Sequence, residues 1–245
     1  MSDRHHLLVD LDGTLLGMDI DRFLPIYFDR LHGYVGEAVR LPDFSQRFMR
    51  AVQEMLAPRK APITNEQAFY ASFRAGLAEE VSARCDASFS AFYDEVFPQL
   101  RGFTRPIPGA RRFVDAAHQR GYHLTLATSP VFPLRAIVER LSWAGIRPDA
   151  FERITSFEHC SYAKPDLRYY EEVLAMAGCR PRDALMIGND RHDDGGATAA
   201  HIPFVWVNGS YRRSAEPIGE PIWRGTMHRL AQAMEEGNAP FAHCG

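Results

Sequence analysis

The sequence predicts an α/β fold: a parallel sheet covered by helices, with an all-helical segment inserted into it. From about residue 105 onward, short apolar runs alternate with amphipathic stretches, as strands and crossover helices do in a parallel sheet. Residues 19–100 instead carry apolar stripes at helical spacing and no clear strand pattern. With 245 residues, the chain is long enough for one core domain and a smaller insertion. We therefore predict a core domain of residues 1–18 and 101–245 and a helical domain of residues 19–100.

The first predicted strand, Leu7–Val9, runs directly into an acidic segment. Its apolar residues fit a buried strand, and the chain then reads Asp-Leu-Asp-Gly-Thr from Asp10 to Thr14. Because alternate residues of a strand point to the same face, Asp10 and Asp12 converge if the strand geometry persists. Two close carboxylates resist joint ionisation unless a cation lies between them, and Mg²⁺ prefers such oxygen ligands. The alternative is that the two aspartates only form a turn that closes the strand.

The inserted segment is predicted to contain four helices, each with an apolar face at helical spacing. Asp19 is a suitable N-cap for the first helix. Thr64 and Gln67 form a capping-box pattern at the start of the third helix. Aromatic side chains at helical spacing are usually buried, so we predict that these rings form the core of the segment rather than contact a substrate. They are Phe69, Tyr70, Phe73, Phe89, Phe92 and Tyr93.

The remainder of the chain is predicted to add four strands, separated by helices. The strands are expected within residues 122–127, 151–156, 184–187 and 204–207. The helices are expected at residues 110–120, 134–141, 163–177, 194–200 and 227–236. Residues 208–221 have the composition of a loop.

Polar side chains follow three of the predicted strands. Asp10 comes directly after the first strand, Thr128 follows the strand that ends near residue 127, and Asp190 follows the strand at 184–187. In open α/β sheets, ligands bind outside the carboxyl ends of the strands. We therefore expect these three side chains to meet in one site.

Composition and charge exclude several classes of protein. The formal net charge is −3, so no strongly basic surface is expected for nucleic-acid binding. No apolar run is long enough to span a bilayer, and the charged start of the chain does not resemble a secretory signal. No two cysteines have the CxxC spacing of a zinc or redox motif, and we expect a reduced, cytoplasmic protein. The cysteines are Cys85, Cys160, Cys179 and Cys244.

Four separated segments, in this order, resemble the motifs of the haloacid dehalogenase (HAD) superfamily. They are Asp10–Thr14, the strand-end hydroxyl of Thr128, Lys164 before a proline, and Gly188–Asp194. The first segment is the most specific, since an isolated strand-end hydroxyl usually caps a helix and an isolated lysine usually lies in solvent. The resemblance implies a Rossmann-like, HAD-like parallel core. Most members of the superfamily are Mg²⁺-dependent phosphatases.

The resemblance also implies a role for each matching residue. Asp10 would attack phosphorus and form an aspartyl-phosphate, a known use of carboxylates. Asp12 would protonate the leaving oxygen and then activate water, a type of proton transfer that contributes about 10²- to 10⁴-fold. Thr128 and Ser129 would hydrogen-bond the phosphoryl group, and Lys164 would neutralise its charge.

The same resemblance implies an Mg²⁺ site. Its ligands would be the Asp10 carboxylate, the Asp12 backbone carbonyl and Asp190. In the fourth segment, asparagine stands directly after the glycine, where aspartate is frequent, so alternative ligands stay open. A further aspartate, one helical turn after Asp190, would orient the site lysine or a water ligand. The alternative ligands are Asn189 and Asp193, and the orienting residue is Asp194.

The long interval between Asp12 and Thr128 places the helical insertion after the first motif, as in HAD members with a helical cap of the first (C1) type. Such a cap would close over the site and exclude water from a small phosphorylated metabolite. Asp12 argues against dehalogenation, because a halide leaves without a proton. The alternatives are a sugar-phosphate mutase and a catalytically idle binding protein of the same fold. Phosphonate cleavage would require Lys60 as a Schiff-base lysine.

Overall fold

The structure, a computed structural model, describes residues 6–59, 63–208 and 216–241. Lys60, Cys244 and part of the predicted loop at 208–221 therefore lie outside the described residues. The strands in the described part of the chain are β1 (His6–Val9), β2 (Leu16–Met18), β3 (Thr104–Pro106), β4 (His123–Leu126), β5 (Arg153–Ile154), β6 (Ala184–Gly188), β7 (Phe204–Val207) and β8 (Trp223–Gly225).

The structure has a helix at most of the predicted positions, and it adds the short helix α2, which the sequence does not predict. The α-helices are α1 (Ile20–Leu31), α2 (Glu37–Val39), α3 (Phe44–Leu56), α4 (Asn65–Phe73), α5 (Glu79–Glu95), α6 (Ala110–Gln119), α7 (Leu134–Trp143), α8 (Leu167–Ala177) and α9 (Met227–Glu236). A π-helical turn at His32–Gly36 joins α1 to α2, and the segment Asp194–Ala200 is a 3₁₀ helix. Among the described residues, no helix has both the length and the apolar character needed to cross a membrane.

Six strands form one parallel sheet in the order β5-β4-β1-β6-β7-β8. β1 lies between β4 and β6, and its Val9 is level with Leu126 of β4 on one side and with Ile187 of β6 on the other. This register places the carboxyl ends of the three strands at the same edge, where ligands bind in α/β proteins. The predicted parallel α/β fold is confirmed.

Helices cover both faces of the sheet. Because successive residues of a buried strand point to opposite faces, β1 contacts both helical layers. Leu7 and Val9 belong to the larger apolar cluster, which contains the inward residues of α6, α7 and α9. Leu8 belongs to a second cluster, formed with α8 residues such as Tyr169 and Val173. All five side chains are fully buried. β1 is therefore fixed from both sides, and so is the acidic segment that follows it.

The helices from α1 to α5 are joined by aromatic packing. The ring centroids of Phe73 and Phe89 are 5.2 Å apart, and both side chains are buried. Phe23 of α1 also contacts Trp143 of α7, with 6.5 Å between ring centroids. Most of the predicted aromatic core residues thus lie in an apolar cluster that continues to the sheet.

Two predicted helix starts have the expected caps. The Asp19 side chain accepts a hydrogen bond from the Arg22 backbone N–H at 3.3 Å. The Thr64 hydroxyl accepts one from the Gln67 backbone N–H at 3.2 Å, and the Gln67 side chain accepts one from the Thr64 N–H at 3.0 Å. The second pair is the reciprocal arrangement of a capping box.

β2 and β3 form a two-stranded antiparallel ribbon that the sequence does not predict. Leu16 pairs with Pro106, and Met18 pairs with Thr104, so the chain enters the helices through one strand and leaves them through the other. Each strand has three residues, too few to show the alternation that identifies a strand. The three-residue strand β8 is not predicted for the same reason.

The helix predicted from residue 163 begins later, at Leu167. A residue before proline is disfavoured in the helical conformation, which excludes Lys164 from the helix. The Asp166 side chain instead caps α8 by accepting a hydrogen bond from the Arg168 backbone N–H at 2.9 Å. Lys164 consequently lies in the loop before the helix.

Candidate active site

Asp10 lies directly after β1 at the carboxyl edge of the sheet and is 7% exposed. The sheet pairing continues to this residue, because its backbone N–H donates to the Ile187 carbonyl at 2.9 Å. Asp10 Oδ1 accepts a hydrogen bond from Lys164 Nζ at 2.9 Å, and Oδ2 accepts one from Thr14 Oγ1 at 2.9 Å. Both carboxylate oxygens are therefore fixed, and the lysine balances the buried charge.

Lys164 joins Asp10 to a second buried carboxylate, that of Asp194. Its Nζ is 2.9 Å from Asp10 Oδ1 and 2.6 Å from Asp194 Oδ1, and its side chain is 1% exposed. Burial by itself disfavours the charged amine, but the two carboxylates outweigh it and raise the pKa of Lys164 well above its ordinary value. Lys164 therefore stays protonated inside the protein.

Asp194 is buried at a place where a glycine leaves room for it. A Cβ atom on Gly188 would lie 2.1 Å from the Asp194 carboxylate, so a side chain there would displace it. Asp194 Oδ2 accepts a hydrogen bond from the Asp190 backbone N–H at 2.9 Å. Burial raises the pKa of Asp194, and the Lys164 cation opposes this rise. Asp194 thus holds both the lysine and the loop after β6.

Asp190 and Asn189 lie in the loop after β6. Asp190 Oδ1 accepts hydrogen bonds from the backbone N–H groups of His192, at 2.8 Å, and Asp193, at 2.9 Å, which fixes the loop as a turn. Asn189 Oδ1 lies 3.1 Å from Thr14 Oγ1, so it shares the single Thr14 hydroxyl proton with Asp10 Oδ2. The asparagine therefore connects the fourth motif to the first.

Gly13 allows the close approach of Asn189 to the first motif. Its φ of 89° lies in the left-handed region, which glycine adopts without strain. A Cβ atom at this position would lie 2.3 Å from Asn189 Nδ2. The glycine that turns the chain after Asp12 thus also makes room for the asparagine.

Thr128 and Ser129 follow β4 and line the same cavity as Asp10. Thr128 is buried. Its backbone carbonyl accepts hydrogen bonds from the Thr155 hydroxyl at 2.7 Å and the Tyr169 hydroxyl at 2.9 Å. Both residues are therefore held on a fixed backbone at the edge of the sheet.

A buried arginine, Arg140 of α7, pairs with Asp12 and is absent from the sequence-predicted site. Its Nη1 donates to Asp12 Oδ2, and its Cζ lies 4.5 Å from the centroid of the Phe132 ring. Among the described residues, neither Asp12 Oδ1 nor Arg140 Nη2 has a hydrogen-bond partner, although both atoms are buried. Burial raises the pKa of Asp12; Arg140 opposes the rise, and the Asp10 carboxylate adds to it.

The position of Arg140 on α7 is a signal that could have identified it. Ile137 and Leu141 are buried, and Arg140 shares their face of the helix. A charged residue at a core position requires a partner of opposite charge. The sequence therefore predicts that Arg140 pairs with a buried acidic residue, but it does not identify that residue.

We expect Arg140→Met to destabilise the protein, because it leaves the Asp12 carboxylate without its cation. Loss of one partner of a fully buried ion pair costs about 3–5 kcal/mol, and the 23% exposure of the Asp12 side chain lowers the expected loss below this range, to about 2–3 kcal/mol. The free energy of unfolding, measured by urea denaturation, tests this expectation.

Arg111→Met is the matched control for Arg140→Met. The Arg111 side chain is 76% exposed beside Asp115, and its replacement should change stability by no more than about 0.5 kcal/mol. The double variant Asp12→Asn/Arg140→Met should be more stable than Arg140→Met alone, because the unpaired carboxylate is then neutral. Equal stability of Arg140→Met and Arg111→Met would contradict the importance of the buried pair.

One cavity of about 330 Å³ is lined by every side chain that the sequence predicts for the site. These residues are Asp10, Asp12, Thr128, Ser129, Lys164, Asn189, Asp190 and Asp194. Apolar side chains of α1 and α3 also line it, so the cavity lies between the strand ends and the first long helices. A second depression, of about 510 Å³ beside α6, contains none of the predicted site residues.

The donor atoms around this cavity suit one class of metal. The described residues contain no group of three or more His, Cys, Asp and Glu side chains arranged around a metal position. Mg²⁺ does not require such a group, since one or two carboxylates commonly hold it together with carbonyl, water and phosphate oxygens. Asp10 and Asp190 provide two carboxylates in one cavity. This set fits Mg²⁺ better than metals that prefer thiolate or imidazole.

Proteins with similar sequences include several phosphatases. The phosphoglycolate phosphatase of Rhodospirillum rubrum is 28% identical over 86% of this chain and 82% of its own length. The glyceraldehyde 3-phosphate phosphatase of Methanothermobacter thermautotrophicus is 24% identical over 67% of this chain and 78% of its own length. The solved structure of CbbY from Rhodobacter sphaeroides in complex with phosphate has the same fold, with a TM-score of 0.59, 17% identity and coverage of 93% of this chain and 96% of that chain.

The family match extends over most of the chain. Residues 5–201 match the family described as haloacid dehalogenase-like hydrolase. This range contains all four motifs, and the parallel sheet brings their side chains to one cavity. The chain therefore belongs to the haloacid dehalogenase-like hydrolases.

Proposed function

We propose that this hydrolase is an Mg²⁺-dependent phosphatase that removes phosphate from a small phosphorylated metabolite through an aspartyl-phosphate intermediate. The observation that carries the proposal is the Asp10 carboxylate, fixed by Lys164 and Thr14 beside a ligand-sized cavity. The phosphatases among the relatives support the reaction class. Asp12 supports it as well, because an acid is needed where the leaving group takes up a proton.

Asp10 is the nucleophile of this proposal. One of its carboxylate oxygens forms a bond to phosphorus, and the bond between phosphorus and the leaving oxygen breaks. Lys164 and Thr14 fix the carboxylate before the substrate binds, which reduces the reorganisation needed for attack. Thr128 and Ser129 hydrogen-bond the phosphoryl oxygens, and Lys164 neutralises part of their charge.

Asp12 transfers the protons of both steps. It first donates a proton to the leaving oxygen, and it then takes a proton from the water that attacks the phosphorus of the intermediate, releasing phosphate and restoring Asp10. Burial, opposed by Arg140, raises the pKa of Asp12 and favours the protonated form that the first step needs. Arg140 also stabilises the carboxylate that remains after proton donation.

Mg²⁺ would be held by the carboxylates of Asp10 and Asp190 and by the backbone carbonyl of Asp12. When bound, it supplies positive charge that neutralises the phosphoryl oxygens. The donor set supports this assignment, because all of these ligand atoms are oxygens and the two carboxylates line one cavity.

Asn189 and Asp194 have supporting roles in the proposal. The Asn189 side chain contacts the Thr14 hydroxyl and thereby aligns the first and fourth motifs. Asp194 uses one oxygen for Lys164 and the other for the backbone of the loop after β6, so it positions the lysine. Asp193 also lines the cavity, and it and Asn189 are the alternative metal ligands.

We also propose that residues 19–100 form a cap on a core of residues 1–18 and 101–245. The pairing of β2 with β3 supports this division, since both connections between the two parts run side by side. The apolar residues that α1 and α3 contribute to the cavity support a cap position over the substrate. Closure of such a cap would exclude water from the phosphoryl group.

A cytoplasmic location and a small-molecule partner complete the proposal. The cysteines in the described residues are free thiols, which supports a reducing compartment. The net charge of −3 favours no nucleic-acid partner. The cavity of about 330 Å³ suits a small ligand.

The test of the proposed function is phosphate release from p-nitrophenyl phosphate by the purified chain. We expect hydrolysis in the presence of Mg²⁺. Removal of the metal with EDTA should lower the rate at least about tenfold, because the phosphoryl charge is then not neutralised, and added Mg²⁺ should restore it. A thermal unfolding curve recorded in EDTA checks that the loss of activity is not a loss of fold.

Each alternative predicts a different result with p-nitrophenyl phosphate or with other phosphate esters. Full activity after metal removal would contradict the Mg²⁺ dependence. Conversion of a sugar phosphate to its isomer without release of phosphate would identify a mutase. Inactivity towards a broad panel of phosphate esters in Mg²⁺ would favour a binding protein that has kept the fold.

A further inference from the structure

We propose that the substrate is a phosphate monoester whose alcohol or phenol part is apolar, rather than an ester that carries a carboxylate or a second phosphate. This inference rests on the proposed function, because it concerns the leaving group bound in the same cavity. Two features carry it: an apolar wall contributed by α1 and α3, and the scarcity of cations among the described lining residues.

The apolar wall consists of one stripe from each helix. Ile20, Leu24 and Phe28 of α1 are four residues apart and therefore lie on one face of that helix. Val52, Met55 and Leu56 of α3 form the corresponding stripe, at spacings of three and four residues. Both helices thus present apolar side chains to the cavity that contains Asp10.

Apart from Met55, which is 3% exposed, the residues of these stripes are less buried than the core residues of the same helices. Phe23 and Leu31 of α1 are each 1% exposed, whereas Leu24 and Phe28 are only partly buried. Leu56 of α3 is 50% exposed. The wall therefore retains apolar surface in contact with solvent, and a bound apolar group would remove part of it from water.

The cationic and polar side chains at and near the apolar wall already have partners within the protein. Lys164 is the one cationic side chain among the described lining residues, and two carboxylates hold it. The hydroxyl of Tyr27, which α1 contributes to the lining, is hydrogen-bonded to the Tyr93 hydroxyl at 2.8 Å. Arg59, three residues after α3, donates to the Asn65 side chain at 2.6 Å and to three backbone carbonyls.

A second anionic group on the substrate would therefore find no partner at the described wall. Burial of an unpaired carboxylate against apolar side chains is costly, and the nearby carboxylates Asp12, Asp190 and Asp193 would repel it. An apolar group gains free energy from the same burial. The Rhodospirillum rubrum relative is named for phosphoglycolate, which carries a carboxylate. We therefore expect this chain to act on a different substrate from that relative.

The test compares two esters of matched shape, isoamyl phosphate and the phosphate ester of β-hydroxypropionate. Two methylene groups separate each leaving oxygen from the part that differs, an isopropyl group in one ester and a carboxylate in the other. We expect kcat/KM for isoamyl phosphate to be at least about tenfold higher, mainly through KM. Hydrolysis of p-nitrophenyl phosphate is measured alongside.

Leu56→Arg tests whether α3 contacts the leaving group. Because Leu56 is half exposed, an arginine fits there without disturbing the core, and its cation would face a substrate carboxylate. We expect the preference for isoamyl phosphate to fall about three- to fivefold, the effect of a partly exposed ion pair. Met49→Arg is the matched control, since Met49 lies on the same helix, is 44% exposed and does not line the cavity. Its preference should equal that of the wild type.

The outcomes separate this inference from the function on which it rests. If the wild type cleaves p-nitrophenyl phosphate but prefers the carboxylated ester, the apolar substrate class is wrong and the phosphatase proposal stands. If Leu56→Arg and Met49→Arg both keep the wild-type preference, the assignment of α3 to the substrate wall is overturned. If no ester is cleaved in Mg²⁺, both proposals are overturned together.

Discussion

Asp10→Asn is expected to abolish phosphate release, with a loss of kcat of at least about 10³-fold. Asparagine has the shape of aspartate, but its neutral amide does not attack phosphorus. Its side-chain oxygen still accepts a hydrogen bond from Lys164, which Asp194 also holds, so the site should stay assembled. The measurement is Mg²⁺-dependent release of phosphate from p-nitrophenyl phosphate by the wild type and the variant.

Asp19→Asn is the matched control for this substitution. Asp19 caps α1 by accepting a hydrogen bond from the Arg22 N–H, and asparagine caps helices about equally well. Asp19 is not among the residues that line the cavity. The control should therefore have wild-type activity and stability. Equal activity of the wild type and Asp10→Asn would show that Asp10 is not the nucleophile.

The contacts of Asp10 show how far the sequence predicts the site. Periodicity predicts the strands that precede Asp10 and Asp190, and parallel topology brings their ends to one edge. Lys164 follows no strand, and it lies 154 positions from Asp10 and 30 from Asp194. Only its place in the order of motifs predicts that it reaches the nucleophile. The secondary-structure pattern therefore predicts the positions of the strand-end carboxylates, but it does not predict the position of Lys164.

The pairing of Arg140 with Asp12 could not be predicted from local pattern. Helical spacing places Arg140 on the buried face of α7, but its partner lies 128 positions earlier in the chain. The strands β2 and β8 escaped prediction for a different reason, because three residues carry too little alternation. Long-range pairing and very short strands depend on tertiary contacts that a single sequence does not display.

The two faces of α1 explain why the substrate could not be predicted from the sequence. Phe23 and Leu31 are buried in the core, whereas Leu24 and Phe28 line the cavity. All four residues are apolar, and helical spacing alone does not separate a core stripe from a ligand-binding stripe. The separation requires knowledge of what lies opposite each face, which only the packed structure provides.

Asp12→Asn is expected to separate the two steps of the proposed reaction. p-Nitrophenolate is a stable leaving group that needs no proton from Asp12, so Asp10 should still be phosphorylated. The second step needs Asp12 to take a proton from water, and it should slow by about 10²- to 10⁴-fold. Rapid-quench measurements should therefore show a burst of p-nitrophenol equal to the amount of enzyme, followed by slow turnover.

An alkyl ester such as isoamyl phosphate should give no burst with the same variant. Its alkoxide is a poor leaving group, so the first step also depends on the proton that Asp12 donates. The wild type serves as the comparison, because its Asp12 carboxyl performs both proton transfers and should turn over both esters without the slow second phase. A burst from both esters in Asp12→Asn would restrict Asp12 to the activation of water. Wild-type turnover of both would show that another group transfers the protons, since a neutral amide performs neither transfer.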